Sequence, residues 1–327
     1  MKDRLKIMDN DREGVVILSI IVPHYNSPIL LQRLLKTIPY RNDIEIIVID
    51  DRSNLHLQEM DVCKKKFPYV RFFTNETEKK GAGISRNIGI KKSHGEWLMF
   101  ADADDYFMPN AFECIVSETQ NDAADIVYFN PTSSNQEGAL GKRHIEFSNY
   151  LERYVENENN ENLNALKYRF TPPWSKIIRR KLVIENDIFF DEGRCAEDVM
   201  FSCKTAYYAR KVEAINCSVY CVTENDESMT VEVDDDKNLT FSIKMIERYK
   251  FLKERLSKKE MCDLDISSLG RMYLTLKSNM KIKVKVEQIK LLIKSGMPII
   301  PRKLYSPSFW KVRFFNNDKK NQKIRSK

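Results

Sequence analysis

Residues 15–26 read Val-Val-Ile-Leu-Ser-Ile-Ile-Val-Pro-His-Tyr-Asn, and this stretch decides the fold. Eight nearly unbroken β-prone apolar residues stopped by Pro23 fit a strand buried on both faces, as in a parallel sheet. Working outward, Leu30 to Ile38 places its apolar residues at helical spacing, and Glu45 to Asp50 (Glu-Ile-Ile-Val-Ile-Asp) is a second buried strand. A helix follows over Leu-Gln-Glu-Met-Asp-Val-Cys-Lys-Lys-Lys-Phe. Then come a strand at Val70 to Phe73, a helix over 82–93, a strand at Trp97 to Ala101 and another at Asp125 to Phe129. Strands alternating with helices predict an α/β, doubly wound sheet. Such sheets hold ligands outside the carboxyl ends of their strands.

Residues 131–165 are polar and weakly patterned and read as an inserted loop or an acceptor-side segment. From about 236 the texture turns helical, which predicts a boundary near 235.

Composition sets the outer bounds. The chain has 327 residues, 42% hydrophobic, with only 10 Gly and 11 Pro, so a packed core is expected and a fibrous or disordered chain is not. A net charge of +7 is mild for this length and does not call for a nucleic-acid partner. The seven cysteines form no Cys-x-x-Cys pair and read as reduced, mostly buried thiols of a cytosolic protein. The N-terminus, with a polar segment over 1–13, has no apolar core of a signal peptide. No run approaches the roughly 20 apolar residues of a spanning helix. A cytoplasmic protein is expected, soluble or peripheral on the inner face of the membrane. Residues 297–327 mix Phe309, Trp310, Phe314 and Phe315 with a run of lysines and arginines. That composition suits peripheral contact with an anionic membrane. A helix packed on the catalytic domain with a basic tail explains it equally well.

Three strand ends carry polar residues where ligands would sit: Pro23-His24-Tyr25-Asn26, Asp50-Asp51-Arg52-Ser53 and Asp102-Ala103-Asp104-Asp105. Crowded carboxylates repel one another unless a cation compensates. Hard oxygen ligands suit Mg or Mn. A divalent metal would also neutralise a departing diphosphate. The competing reading is that Asp102 to Asp105 caps a turn.

Taken in order, Ser-Ile-Ile-Val-Pro-His-Tyr-Asn, Val-Ile-Asp-Asp-Arg-Ser, Gly-Ile-Ser-Arg-Asn-Ile-Gly-Ile and Glu-Trp-Leu-Met-Phe-Ala-Asp-Ala-Asp-Asp-Tyr-Phe-Met-Pro resemble the successive signatures of the family 2 glycosyltransferases. Pro172-Pro-Trp-Ser-Lys176 and Ala196-Glu-Asp-Val-Met-Phe201 are similar to the acceptor-side region of that family's capsule and lipopolysaccharide branch. The resemblance implies a GT-A domain over 14–235, with a nucleotide-binding half at 14–110, an acceptor-side half at 111–235 and a helical extension at 236–327. It implies an inverting transfer from a nucleotide-sugar donor, UDP by family frequency, to a saccharide or lipid-linked acceptor in surface polysaccharide synthesis. Carried over residue by residue, Pro23, Tyr25 and Asn26 belong to the donor pocket and Asp51 to the base edge. Arg86 holds the nucleotide, Asp102 contacts the ribose or the metal's water shell, and Asp104 ligates Mn or Mg. Asp198 is the general base. Trp174, Lys176 and Glu197 are weaker acceptor-side candidates.

The base assignment has physical sense. A single displacement needs one carboxylate to take the acceptor's hydroxyl proton opposite the leaving diphosphate. Its rival is an acid that favours a helix N-terminus. The sequence departs from the branch at Tyr220-Cys-Val-Thr-Glu-Asn-Asp-Glu before Ser228-Met-Thr230. Acids stand there where bases would help, so no diphosphate contact is expected from that loop. A nucleotidyltransferase would place a Gly-rich basic loop after the first strand, where this chain has Pro-His-Tyr-Asn. A lapsed transferase acting as a membrane-associated assembly partner would have lost Asp104 or Asp198, and both are present.

Overall fold

A computed structural model describes residues 15–305 except 121–122, 136, 194 and 225–234. The chain divides into two compact units, Met1–Glu232 and Val233–Lys327.

The first unit is built on one sheet. Strands β1 (Leu18–His24) and β2 (Ile44–Asp50) are buried along almost their whole length, as continuous apolar runs require. Helix α1 (Pro28–Lys36) connects them, starting on a proline, which has no N–H to lose at that position. Then follow α2 (Leu57–Lys66), β3 (Arg71–Thr74), α3 (Ala82–Lys92), β4 (Trp97–Phe100), the two-residue β5 (Tyr106–Phe107) and α4 (Ala111–Thr119). The second half adds β6 (Ile126–Asn135), α5 (Ile145–Glu156), α6 (Asn160–Arg169), β7 (Lys176–Arg179), α7 (Arg180–Glu185), α8 (Glu197–Tyr208) and β8 (Val212–Glu224).

The strand order is β3-β2-β1-β4-β7-β6-β8-β5. The first four strands run parallel, with Leu18 in register with Ile44 and with Trp97, so β1, β2 and β4 end at the same edge. Strand β7 is antiparallel to both its neighbours, and β5 is antiparallel to β8. The sheet is thus parallel in its first half and mixed in its second. One apolar core joins both halves, from Ile20 and Val48 through Phe100 to Phe129, Phe170 and Phe201. Each such side chain contributes about 1.5–3 kcal/mol on burial.

The loop expected over 131–165 is corrected by the structure. Strand β6 runs on to Asn135, bulging at Asn130 and Pro131, where a proline cannot join the hydrogen-bonding ladder. The remainder folds as α5 and α6, which bury Ser148 and Asn164 beside Leu151 and Leu166. Buried Asn164 weakens the apolar period of α6, whereas α5 places Phe147, Leu151 and Tyr154 on one face at helical spacing. Of the seven cysteines, only Cys63, Cys203 and Cys221 are buried; the other four are partly exposed.

The second unit contains α9 (Asp235–Arg255), α10 (Lys258–Leu264), α11 (Leu269–Lys277), α12 (Ile282–Lys294) and a short turn at Arg302–Tyr305. Its core gathers Ile246, Tyr249, Leu292 and Met297. A polar knot pins it: Arg271 Nη2 donates to both oxygens of Asn238 at 2.6 Å, and Gln288 Nε2 donates to the Asn238 carbonyl at 3.1 Å. A reciprocal cap between Ser257 and Glu260 opens α10. Met297, expected in a membrane-facing tail, is instead core. The tail aromatics Phe309, Trp310, Phe314 and Phe315 lie outside the described residues, as does Ser228-Met229-Thr230. No described helix is long and apolar enough to cross a membrane.

Candidate functional site

The aligned ends of β1, β2 and β4 bring Pro23, Asp51 and Asp102 to one edge. His24 is buried there. Its Nδ1 lies 2.8 Å from Asp50 Oδ1 and its Nε2 accepts the Ser27 N–H at 3.2 Å, so it ties β1 to β2. Asp50 is held below the usual carboxylate range; burial opposes ionisation, but His24 and Ser53 outweigh it. Asn26 sits at φ 52 and knits two loops together. Its Oδ1 accepts from the N–H groups of Asn54 and Leu55, and its Nδ2 donates to Asn54 Oδ1. Asn26, expected in the donor pocket, thus also braces the loops that carry that edge. Tyr25 is 49% exposed, with Lys80 Nζ 4.9 Å from its ring centroid. Asp51 accepts from Asn75 Nδ2 at 2.6 Å and from the Gly81 N–H at 2.8 Å. Each of its oxygens keeps one further acceptor direction.

The Asp102-Ala-Asp-Asp segment divides its work. Asp105 is buried, accepting from the Tyr220 hydroxyl at 2.9 Å and the Thr223 N–H at 2.8 Å. The same hydroxyl accepts the Asp102 N–H at 2.8 Å. Asp105 and Tyr220 therefore clamp β8 to this segment, a structural task that sequence reading did not assign. Burial, and then the charges of Asp102 and Asp104, push the Asp105 carboxyl well above its ordinary range. Asp104 is raised for the same reasons, burial first and the Asp102 charge second. Its carbonyl is braced by Arg33, which also donates to Thr223 Oγ1 at 2.9 Å.

Arg86, on α3, joins the two sides of the site. Its Nη2 donates to Asp102 Oδ1 at 2.7 Å and its Nη1 to Glu197 Oε1 at 2.8 Å. The guanidinium is almost fully buried over the Phe190 ring, 5.2 Å from its centroid. Burial works against its charge, but Asp102 and Glu197 more than offset that and hold the group above its ordinary value. Arg86 and Glu197 are thus partners of each other, placed to align the strand-end acids with α8. Two glycines allow the approach. A Cβ on Gly83 would stand 2.3 Å from the Asp191 carbonyl and 3.0 Å from the Glu197 side chain. A Cβ on Gly89 would stand 2.3 Å from Ile21. Asn87 completes the seam by exchanging hydrogen bonds with the Phe190 backbone at 2.8 and 2.9 Å.

Asp198 occupies the first turn of α8, after Ala196 at φ 56. The helix-terminus reading is geometrically met as well, but a helix dipole alone would favour the ionised form. Instead burial, and then the neighbouring Glu197 charge, push Asp198 up to about 7 against the pull of Arg86 and Lys176. A carboxylate poised near neutrality suits a general base.

Lys176 and Trp174, the weaker acceptor-side candidates, lie buried in the interior. Lys176 is 1% exposed and donates to the Phe170 carbonyl at 3.1 Å and Ser202 Oγ at 3.2 Å. Its ammonium lies over the Tyr128 and Phe170 rings. Burial lowers it to about 7, and the Asp198 charge opposes that shift. Ser202 is one turn beyond Asp198 on α8, so Lys176 braces the helix from beneath. Trp174 is walled in by Phe147, Phe170 and Tyr220, which leaves no open face for a sugar. Both residues follow or precede Ser175 at φ 57, and Asn26, Arg52 and Ala196 are further non-glycine residues with positive φ around the site. Such backbone gathers where function over-determines local geometry.

Among the described residues no group of three or more His, Cys, Asp or Glu side chains is arranged to hold a metal ion. Asp102 and Asp104 nevertheless make a donor set that fits one. Both are carboxylates at one strand end, and the Asp102 charge raises the Asp104 carboxyl, as crowding without a cation would.

The sequence profile of glycosyl transferase family 2 matches residues 19–186. A curated relative, the poly(ribitol-phosphate) beta-N-acetylglucosaminyltransferase TarS of Staphylococcus aureus, is 26% identical over 209 residues, covering 62% of this chain and 34% of its own. The chain thus spans about a third of the length of that relative. Glycosyltransferase GlyG of Streptococcus pneumoniae is 25% identical over 283 residues, covering 84% of this chain and 90% of its own. Among solved structures, residues 1–349 of S. aureus TarS in complex with UDP-GlcNAc superpose with a TM-score of 0.68. The identity is 21%, over 86% of this chain and 81% of that one, so the likeness is one of fold.

Proposed function

The chain belongs to glycosyl transferase family 2, and on that premise we propose that it transfers a sugar from a UDP-sugar, with inversion, to a saccharide or lipid-linked acceptor of a surface polysaccharide. The observation that carries this reading is the Arg86 bridge from Asp102 to Glu197, which ties the strand-end acids to the helix bearing Asp198. In this reading Tyr25 and Asp51 receive the base, and Asp102 faces the ribose and diphosphate. Asp198 takes the proton of the attacking hydroxyl while the diphosphate leaves from the opposite face of the sugar, so no enzyme nucleophile is needed. The UDP assignment is supported by the relative solved with UDP-GlcNAc.

Asp104, with Asp102, is the residue to hold Mn or Mg. Such an ion, when bound, would supply charge neutralisation to the leaving diphosphate. Arg86 is assigned to orientation, because both of its forks are occupied by carboxylates. The reaction is proposed to occur on the cytoplasmic side, with the basic residues near the C-terminus near the membrane that carries lipid-linked acceptors.

The test is binding and hydrolysis of UDP-, GDP- and dTDP-sugars with and without Mn, on the wild type and on Asp104→Ala. Metal-dependent binding of UDP-sugars, lost in the variant, is the expected result. Metal-independent binding of equal strength in both proteins would remove Asp104 and the ion from the reading.

A further inference from the structure

Helices α11 and α12 carry apolar residues on the wrong side for a surface helix. On α12 the inward face is already committed, since Leu292 lies in the core of the second unit and Gln288 bonds to Asn238. Yet Ile282, Val286, Ile289 and Ile293 recur at i, i+4, i+7 and i+11, which makes a second apolar stripe on one side of the helix. Ile282 is 80% exposed and Ile293 53% exposed. On α11, Leu269, Tyr273 and Leu276 repeat the pattern at i, i+4 and i+7, with Leu276 60% exposed. The two helices meet where Lys285 Nζ donates to the Leu276 carbonyl at 2.9 Å. Isolated exposed apolar residues need no explanation, but ordered stripes on adjoining helices mark an interaction surface.

Charge says what covers it. Between residues 277 and 294 stand six lysines (277, 281, 283, 285, 290 and 294) against the single acid Glu287. Helical spacing sets Lys283, Lys290 and Lys294 along one flank of the α12 stripe and Lys285 along the other. Lysine stems can lie on apolar surface while the ammonium reaches outward, an arrangement suited to an anionic interface. Residues 306–327 hold seven basic residues and one acid, so the chain's own tail would bring like charge to like. A second copy of the same face would do so too.

We propose that the α11–α12 face is a docking surface for an anionic lipid bilayer, with the apolar stripes entering the headgroup boundary and the lysines meeting lipid phosphates. This is separate from the membrane role proposed for the residues nearer the C-terminus, and its test keeps the two apart. The full-length protein is floated with vesicles of phosphatidylcholine, with and without phosphatidylglycerol, at low and high salt. Three further proteins are compared: Ile282→Glu with Ile293→Glu, Lys283→Gln with Lys290→Gln, and the chain ending at residue 305. Both isoleucines are solvent-exposed, and thermal melts confirm folding. The wild type is expected to float only with anionic vesicles and to be released by salt. The double glutamate variant should lose about tenfold or more in partitioning, the glutamine variant should lose less, and the shortened chain should still float. Unchanged flotation of the glutamate variant, or loss of binding only on shortening, would overturn the proposal. So would a self-associated wild type that the glutamates turn monomeric while vesicle binding stays the same.

Discussion

Replacing Asp198 with Asn should make the enzyme slower and the protein more stable, and the second effect has a calculable size. Burial and the adjacent Glu197 charge raise the Asp198 carboxyl from 3.8 to about 7. At 1.36 kcal/mol per pKa unit, ionising it inside the fold costs about 4 kcal/mol relative to the unfolded chain. The sign follows from linkage. A carboxyl whose folded pKa is raised costs the fold nothing below the unfolded value near 4. The penalty grows from there and is complete once the pH exceeds about 7. A neutral Asn never incurs it. Urea denaturation of both proteins should therefore show the variant ahead at pH 8, by an amount of order 4 kcal/mol at most, since Asp198 retains some solvent contact. The gap should shrink steadily toward pH 4. In parallel, kcat should fall by about 10²–10⁴, the range attributed to a positioned base. A variant no more stable than the wild type at pH 8 would refute the reasoning. The carboxylate would then not be held ionised at a cost, and its poise as a base would have no physical ground.

Four other outcomes follow. The kcat/KM profile should lose about tenfold per pH unit below about 7, as Asp198 takes up its proton. Lys176→Met, measured by the same profile, should move that acid limb to higher pH, because a positive charge that opposes protonation is gone. Arg86→Met should cost about 3 kcal/mol of stability, since two carboxylates lose their partner. It should lower kcat/KM by about 100-fold or more, and Arg86→Lys should recover only part, because one ammonium cannot fork to both acids. Gly83→Ala, read by thermal melting, should cost about 1–3 kcal/mol through its clash with the Asp191 carbonyl, and activity should fall with it as α3 shifts Arg86.

The parts legible in the sequence are those whose physics is local. Strands buried on both faces must be continuous apolar runs, so β1, β2 and β4 declare themselves, and the polar residues that follow each run mark the edge of the candidate site. Helix α6 is hard to read because it buries Asn164 among few apolar residues, whereas α5 carries Phe147, Leu151 and Tyr154 at helical spacing and lay open to reading. Strand β6 was cut short by Pro131, which the structure absorbs in a bulge. Long-range pairings leave no local trace. Arg86 and Glu197 are 111 residues apart, and Asp105 and Tyr220 are 115 apart, so neither partnership could be read from spacing. The burial of Lys176 leaves no local trace either. A lysine is almost never fully buried, and only the aromatic rings and carbonyls arranged around it in three dimensions make its burial tolerable.

The strand order has a kinetic consequence. Strand β4 has its β1 partner as soon as it is synthesised, but its other edge has none until β7 is made, because Met99 pairs with Ile177. During synthesis at roughly 5–20 residues per second, that wait lasts several seconds. Throughout it, Trp97-Leu-Met-Phe100 presents an apolar strand edge to every other nascent chain. The yield of folded protein should therefore depend on translation speed, temperature and chaperone supply during that interval.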